Sequence, residues 1–334
     1  MHTPSRKTTL KDIAKHLGIS VNTVSRALRG QDHILPKTRE LISKTANEMG
    51  YIPNTIASAM RSGCTRYIAI ILEDISNPYF GIMVKYLDQR IQKKGFCSIL
   101  YTTDGQPEKE ESAIQAAIAT HVAGAVVFPT SRNANALRLF QHNSIPFVLI
   151  DRYYDDAPDM NYIISNNIKG GYLATKYLIE KGHRDILLFR GPSYISSAME
   201  RYQGYVQALT QYNIPLQEQL LMQCGVWNIS SKEALEKVIR EGIHFTAVVT
   251  FSDKQAWMAQ KFLAEIGGES YSHVDIVGFD NLRNELYYSA DLPSIDTNKE
   301  YVAKRTIQVL FQHIYDPDSE YAHETVDVRL VLTC

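Results

Sequence analysis

Apolar residues repeat with two different periods along this chain of 334 residues. Near the start the spacing is helical. Leu10, Ile13, Ala14 and Leu17 recur at i, i+3, i+4 and i+7 and define one apolar face. Thr9 is placed to cap that helix, and Asp12 sits in its first turn, where a negative charge is favoured. Gly18 lets the backbone turn sharply. Ser20 caps a second short helix whose Val24 and Leu28 face inward, leaving Val21, Asn22, Ser25, Arg26 and Arg29 outward. After a loop at Gly30-Gln31-Asp32, a third helix starts near Pro36, a residue suited to the first helical position. It carries Leu41, Ile42, Ala46 and Met49 on its buried face and stops at Gly50, a left-handed cap.

From Arg66 onward the period changes. Apolar runs at Tyr67–Leu72, Phe96–Tyr101, Gly124–Phe128, Pro146–Ile150, Asp185–Phe189, Thr246–Thr250 and Val274–Phe279 predict strands. Between them lie helical patterns near 79–94, 108–121, 133–142, 167–181, 198–212, 231–241, 254–266 and 299–315. Near-continuous apolar strands separated by helices indicate parallel sheets covered on both faces. About 270 such residues exceed one comfortable core, so two similar α/β lobes with a cleft between them are predicted. Between head and body, Pro53 and Gly63 bracket a segment of about two turns that Asn54 can cap, too short to hold as a helix alone in water. It reads as a linker that becomes helical when a partner holds it.

Charge separates the same two parts. Residues 1–62 hold ten Lys/Arg against four Asp/Glu, whereas the whole chain has a net charge of −1. A basic head on an acidic body fits a polyanion-binding module joined to one that does not bind nucleic acid. Hydrophobic content of 45% is that of a globular chain. No stretch reaches the roughly 18 apolar residues that span a bilayer, and the polar start, Met-His-Thr-Pro-Ser-Arg-Lys, lacks a signal peptide's apolar run. Cys64, Cys97, Cys224 and Cys334 are scattered, without metal-ligand spacing, which fits a reducing cytoplasm.

The second helix carries the candidate chemistry of the head. Arg can pair bidentately with guanine and Asn with adenine, and Val can touch a thymine methyl, so the outer side suits a major groove. The plain alternative is a helical hairpin with Arg26 and Arg29 merely solvated. The body has no G-x-S-x-G elbow, no P-loop and no clustered His/Cys ligands, so no catalytic residue, cofactor or metal is assigned. Three classes remain: a regulator that binds DNA and a small molecule, a free-standing solute-binding protein, and an α/β enzyme with a helical appendage. The second predicts a signal peptide and no basic head. The third predicts turnover of a candidate ligand.

Thr9–Gly30 resembles the DNA-binding head of the LacI/GalR family of bacterial transcription regulators, and Tyr51-Ile52-Pro53-Asn54 resembles that family's entry to its hinge helix. Further matches follow in order: Asn77-Pro78-Tyr79-Phe80, Asp151-Arg152, Gly170-Gly171, Gly182-His183-Arg184-Asp185-Ile186, Arg201 with Gly204, and Gly278-Phe279-Asp280-Asn281. The resemblance implies a helix-turn-helix head over 1–52, a hinge helix over 53–63, and a two-lobed body over 64–334 like the periplasmic binding proteins. The first lobe would be about 66–164 with 294–325, the second about 165–293 with 326–334. Val21, Asn22 and Arg26 fall where the family reads bases. Thr9, Ser20, Thr23, Ser25 and Asn54 fall where it meets the DNA backbone, contacts that fix register without reading sequence. Met60 stands where a leucine usually wedges into the minor groove.

In the body, Tyr79, Phe80 and Phe128 would line the cleft from the first lobe, with Asp151 near its edge. Arg201, Trp227, Ser252, Asp253 and Asp280 would line it from the second. An aromatic plate beside an Arg and an Asp suits a sugar, which offers apolar C–H faces and hydroxyls. Trp227 falls where some members stack a sugar ring; otherwise it is a core-filling indole. Arg201 and Asp280 are otherwise a structural ion pair. Ser252 replaces a commoner asparagine, and His183 belongs to the fold. The implied protein is a cytoplasmic repressor, not an enzyme, that binds a palindromic operator as a homodimer, since one small head reads only a half-site. Its implied effector is a sugar or sugar phosphate. A purine or nucleoside is the alternative, because Tyr79, Phe80 and Phe128 could stack a base. If Met60 is the wedge, Met60→Ala weakens operator binding in fluorescence anisotropy while small-molecule binding persists; unchanged operator affinity rules the wedge out.

Overall fold

Side-chain caps start the first two helices of the first unit, Met1–Gly63, in the computed structural model of the chain. The structure describes residues 7–28, 34–52, 65–224, 230–266, 271, 273–282 and 292–332. Helix α1 (Leu10–Leu17) opens on a reciprocal box, in which the Thr9 N–H donates to Asp12 Oδ2 at 2.9 Å and Thr9 Oγ1 accepts from the Asp12 N–H. Gly18, at φ 66°, ends it in the left-handed region. Ser20 Oγ then accepts the Thr23 N–H at 3.0 Å and starts α2 (Val21–Leu28). Helix α3 (Pro36–Glu48) closes a small core around Ile13, Val24 and Ile42.

Two inward and outward assignments differ from the sequence pattern. Leu41 is 53% exposed, because Ile42, Thr45 and Ala46 form the buried stripe of α3. Ser25 is buried rather than outward, since it lies beside Val24 and one turn before Leu28, on the packed side of α2.

The second unit, Cys64–Cys334, holds two sheets. The first comprises β1 (Tyr67–Leu72), β2 (Cys97–Thr102), β3 (Gly124–Val127), β4 (Phe147–Ile150), β5 (Asn161–Ser165) and β11 (His323–Val326), in the order β11-β5-β4-β3-β1-β2 and all parallel. Helices α4 (Pro78–Lys93) and α11 (Lys299–Tyr315) cover one face. Helices α5 (Pro107–Ala119) and α6 (Arg138–His142) cover the other. The second sheet comprises β6 (Ile186–Arg190), β7 (Leu221–Gln223), β8 (Ala247–Val249), β9 (Asp275–Phe279), β10 (Ser294–Asp296) and β12 (Arg329–Val331), in the order β12-β10-β9-β8-β6-β7. It is parallel except where β12 meets β10. Helices α7 (Asn167–Glu180) and α8 (Ser196–Gln211) pack on one face, α9 (Ser231–Arg240) and α10 (Asp253–Ile266) on the other.

The chain passes between the lobes after β5, β10 and β11. These crossings are tied together: Ser165 Oγ donates to the Thr297 carbonyl at 3.1 Å, and the Asn166 N–H donates to the Val326 carbonyl at 2.8 Å. Residues 294–296, assigned to the first lobe by the family resemblance, belong to the second. Ser294 and Ile295 pair with Gly278 and Phe279 of β9, so the crossing comes at Thr297.

Glycines let α7 and α8 pack backbone to backbone. A Cβ on Gly171 would stand 2.1 Å from the Arg201 carbonyl oxygen, and one on Gly204 would stand 2.0 Å from that of Ile168. Gly171→Ala is therefore expected to lower the stability of the body in urea denaturation by about 2–3 kcal/mol. Gly81→Ala in α4, whose nearest neighbour would be 3.9 Å away, is expected to be neutral or to add up to ~1 kcal/mol.

Candidate nucleic-acid interface and ligand cleft

On the first unit, α2 carries the residues suited to reading bases. Val21 and Asn22 are exposed and Arg26 is half-buried. Thr9 and Ser20 are also exposed, but their hydroxyls already serve the caps: Thr9 Oγ1 donates to Asp12 at 2.6 Å, and Ser20 Oγ lies 2.8 Å from the half-buried Thr23 hydroxyl. A phosphate would share those oxygens. Ser25, being buried, has no open approach to a DNA backbone. Asn54 and Met60 lie outside the described residues.

In the second unit, strand carboxyl ends from both sheets point toward one cavity of about 750 Å³. This is where ligands sit in open parallel sheets. From the first lobe, β1 leads to Glu73 and Asp74, and β4 leads to Asp151 and Arg152. Asn77 caps α4 by accepting the Tyr79 N–H at 3.2 Å, which sets Tyr79 and Phe80 at the cavity wall. Both rings stand edge-on to Phe128, with centroids 6.5 and 5.3 Å away. Phe128 thus backs the wall from behind and is not itself among the residues lining the cavity.

From the second lobe come Arg201 on α8, Phe251 and Ser252 after β8, and Asp280 after β9. Arg201 is only 7% exposed. Its guanidinium lies 3.7 Å from the Phe279 ring centroid and 4.5 Å from that of Phe251. Nε donates to Asn167 Oδ1 at 3.0 Å and Nη1 to the Phe251 carbonyl. Arg201 lines the cavity, and its remaining N–H donors have no hydrogen-bond partner among the described residues. Asp280 is 6% exposed, and its carboxylate accepts no hydrogen bond among the described residues. Burial drives its pKa well above the usual carboxylate range, and the Arg201 charge opposes this. Asp151 and Asp280 both sit at positive φ, 73° and 103°, a strained backbone of the kind found at functional sites.

Asp253 has a different role. Its oxygens accept the Leu282 N–H at 2.7 Å and the Ser294 hydroxyl at 2.6 Å, so it braces the loop after β9 rather than lining the cavity. His183 bridges Thr246 at 2.9 Å and Asp275 at 2.8 Å, within the fold. Trp227 lies outside the described residues. Sequence reasoning missed several wall residues: Glu73, Asp74, Asp104, Lys254 and the start of α9 at Ser230 and Ser231. Glu73 and Arg152 form a shielded pair at 3.4 Å, and burial raises the Glu73 pKa against the pull of Arg152. Their place directly after β1 and β4 was the available signal.

Residues 65–332 match the family model described as periplasmic binding proteins and sugar binding domain of LacI family. Residues 9–54 match that of the bacterial regulatory proteins, lacI family. The chain belongs to the LacI family of bacterial regulatory proteins, and it is a DNA-binding transcriptional regulator. Among its relatives, the HTH-type transcriptional repressor PurR of Actinobacillus pleuropneumoniae serotype 5b (strain L20) is 28% identical over 320 residues, 96% of this chain and 95% of that one. PurR of Pasteurella multocida (strain Pm70) is 27% identical over 325 residues, 97% of each. In fold, the chain is similar to the Lac repressor dimer bound to operator and the anti-inducer ONPF, with TM-score 0.84, 23% identity and 98% of each chain covered. It is also similar to the transcriptional regulator CelR in its cellobiose complex, with TM-score 0.73, 24% identity and 98% and 99% covered.

Asp280, which accepts no hydrogen bond among the described residues, is expected to make stability depend on pH. Its folded pKa is raised above the unfolded value of ~3.9, so the ionised group opposes folding. That cost is fully present above the raised pKa and gone below the unfolded one. Asp280→Asn is expected to melt a few degrees higher than wild type at neutral pH, with the gain shrinking as pH falls toward ~4. A variant that melts lower at neutral pH would mean that the attraction to Arg201 outweighs burial.

Proposed function

We propose that this protein is a cytoplasmic repressor without enzymatic activity, which grips a palindromic operator as a homodimer and changes that grip when a small uncharged sugar enters the cleft. The observation that carries the sugar reading is the meeting of Arg201 with the buried Asp280, whose carboxyl has no hydrogen-bond partner among the described residues, beside the Tyr79–Phe80 wall. A planar donor array beside a carboxyl suits hydroxyls, and aromatic side chains suit C–H surface. Charge narrows the class further. The wall carries Glu73, Asp74, Asp104, Asp151, Glu233 and Asp280 against Arg152, Arg201 and Lys254, and with Glu73 and Asp280 set aside because burial raises their pKa values, four carboxylates still face three cations. That excess of carboxylates disfavours a sugar phosphate.

On the DNA side, Val21, Asn22 and Arg26 would read base edges, and Thr9, Ser20 and Thr23 would meet the backbone. Two heads related by a two-fold axis would occupy successive major grooves. A second reading takes a purine as effector. It draws on the aromatic wall and on the likeness to PurR.

A thermal-shift screen separates these readings. The compounds are D-glucose, D-ribose, cellobiose, glucose 6-phosphate, adenine and guanosine. An uncharged sugar is expected to raise the melting temperature, and Arg201→Lys is expected to weaken its binding at least ten-fold, about 1.4 kcal/mol. A shift with adenine or guanosine alone favours the purine. A shift with glucose 6-phosphate alone reverses the charge argument, and turnover of any compound overturns the non-enzymatic reading.

A further inference from the structure

We propose that Glu200 is a positioning residue that joins the cleft arginine to the opposite lobe, so that a change at Arg201 is felt as a change in lobe orientation. The proposal rests on the reading of the cleft as the effector site. Its basis is a continuous set of hydrogen bonds. Arg201 Nε donates to Asn167 Oδ1 at 3.0 Å, and Asn167 Nδ2 donates to Glu200 Oε2 at 2.9 Å. The other Glu200 oxygen, Oε1, accepts from the Tyr153 hydroxyl at 3.0 Å. Arg201, Asn167 and Glu200 belong to the second lobe. Tyr153 belongs to the first, directly after Asp151 and Arg152 at the cavity wall.

Each member is held in one orientation. Asn167 is 1% exposed, and its amide has its oxygen fixed by a guanidinium and its nitrogen by a carboxylate, so a flip would set like against like. The Tyr153 ring stacks on Tyr162 of β5, with centroids 4.8 Å apart at 24°, and Tyr162 stacks on His323 of β11 at 4.7 Å and 4°. The Tyr153 hydroxyl therefore cannot follow α8 without breaking a stack anchored in the first sheet. The backbone N–H of Tyr153 donates to Ser196 Oγ at 3.1 Å, at the start of α8. Nearby, the Arg132 guanidinium of the first lobe lies 4.8 Å from the Tyr194 ring centroid of the second.

Hydrogen bonds fail over short distances. A relative lobe shift of about 1 Å takes the Tyr153–Glu200 contact beyond bonding range. Glu200 then loses its outer donor, and Asn167 and Arg201 lose the brace that aligns Nε. By linkage, a ligand that redirects the guanidinium loads the same bonds from the other end.

The test uses the full chain with no small molecule added. In protein labelled with ¹⁵N-arginine, the Arg201 Nε–H signal is identified by its loss in Arg201→Lys. Tyr153→Phe removes only the hydroxyl's bond to Glu200, leaving the N–H bond to Ser196, and is expected to shift that signal and speed its hydrogen exchange about ten-fold, the effect of ~1.4 kcal/mol. It is also expected to change affinity for a palindromic duplex, selected from random-sequence DNA by binding to the wild-type protein, by several-fold. Tyr154→Phe, whose hydroxyl donates to the Ser131 carbonyl within the first lobe, is the control and leaves both unchanged. An unmoved Arg201 signal in both Tyr153→Phe and Glu200→Gln overturns the proposal. So does a moved signal with unchanged operator affinity, since the bonds would then carry nothing to the DNA. Failure of the cleft reading shows separately, as absence of any stabilising compound in the thermal-shift screen.

Discussion

A buried guanidinium is the constraint from which the rest of the cleft follows. Removing a cation from water costs several kcal/mol unless its surroundings replace the lost hydration. Arg201 obtains that replacement from two ring faces, a carbonyl oxygen and an amide oxygen. Those groups come from β9, the turn after β8 and the start of α7, so the cation requires all three to converge. Convergence in turn requires α7 and α8 to touch backbone to backbone, which only glycine at positions 171 and 204 permits. A cation, two helices and two strand ends are thus one packing unit.

Asp280 is the counterpart that this unit does not satisfy. A carboxylate 6% exposed, with no hydrogen bond to it among the described residues, is costly in a finished core and useful in a binding site. Positive φ at Asp151, Asp280 and Asn281 adds about 1–3 kcal/mol of strain at each. Strain and bare polarity gather where the two sheets present their strand ends. A ligand that satisfies Asp280 and the remaining Arg201 donors is favoured by the amount these groups are disfavoured without it. On the proposed reading, ligand and lobe geometry are linked through the shared residues at the cleft.

The sequence made the fold legible wherever burial was two-sided. The run at Tyr67–Leu72 coincides with β1, because continuous apolarity over six residues suits a strand covered on both faces. The helical pattern at 299–315 coincides with α11, because a 3.6 period held over so many residues suits a helix with one buried side. The apolar pattern did not mark strands β5, β7, β10, β11 and β12, though the resemblance pointed to a C-terminal strand in the second lobe. They are short or lie toward sheet edges, and His-Glu-Thr-Val at β11 or Arg-Leu-Val at β12 has no apolar run to detect. Placing 294–296 required knowing that β10 pairs with β9, a long-range pairing that local pattern cannot express. The cleft was partly legible through resemblance, which pointed to Arg201, Asp280 and the Tyr79–Phe80 wall. Asp253 and Ser25 show the limit: motif position identified them, but hydrogen bonding and helix rotation decide their roles. Arg152 pairing with Glu73, and Glu200 accepting from Tyr153 of the other lobe, depend on geometry that spacing does not encode.

Family membership assigns a DNA-binding head and a sugar-binding-type body to one polypeptide, and a single equilibrium is proposed to join them. Coupling between two binding events must be mutual. The most direct measurement is a calorimetric titration of the cleft compound into the protein alone and into the protein saturated with its operator duplex. Two affinities are predicted, whose ratio equals, within error, the ratio of operator affinities measured with and without that compound. Equal affinities of the compound for free and operator-bound protein would contradict the coupling.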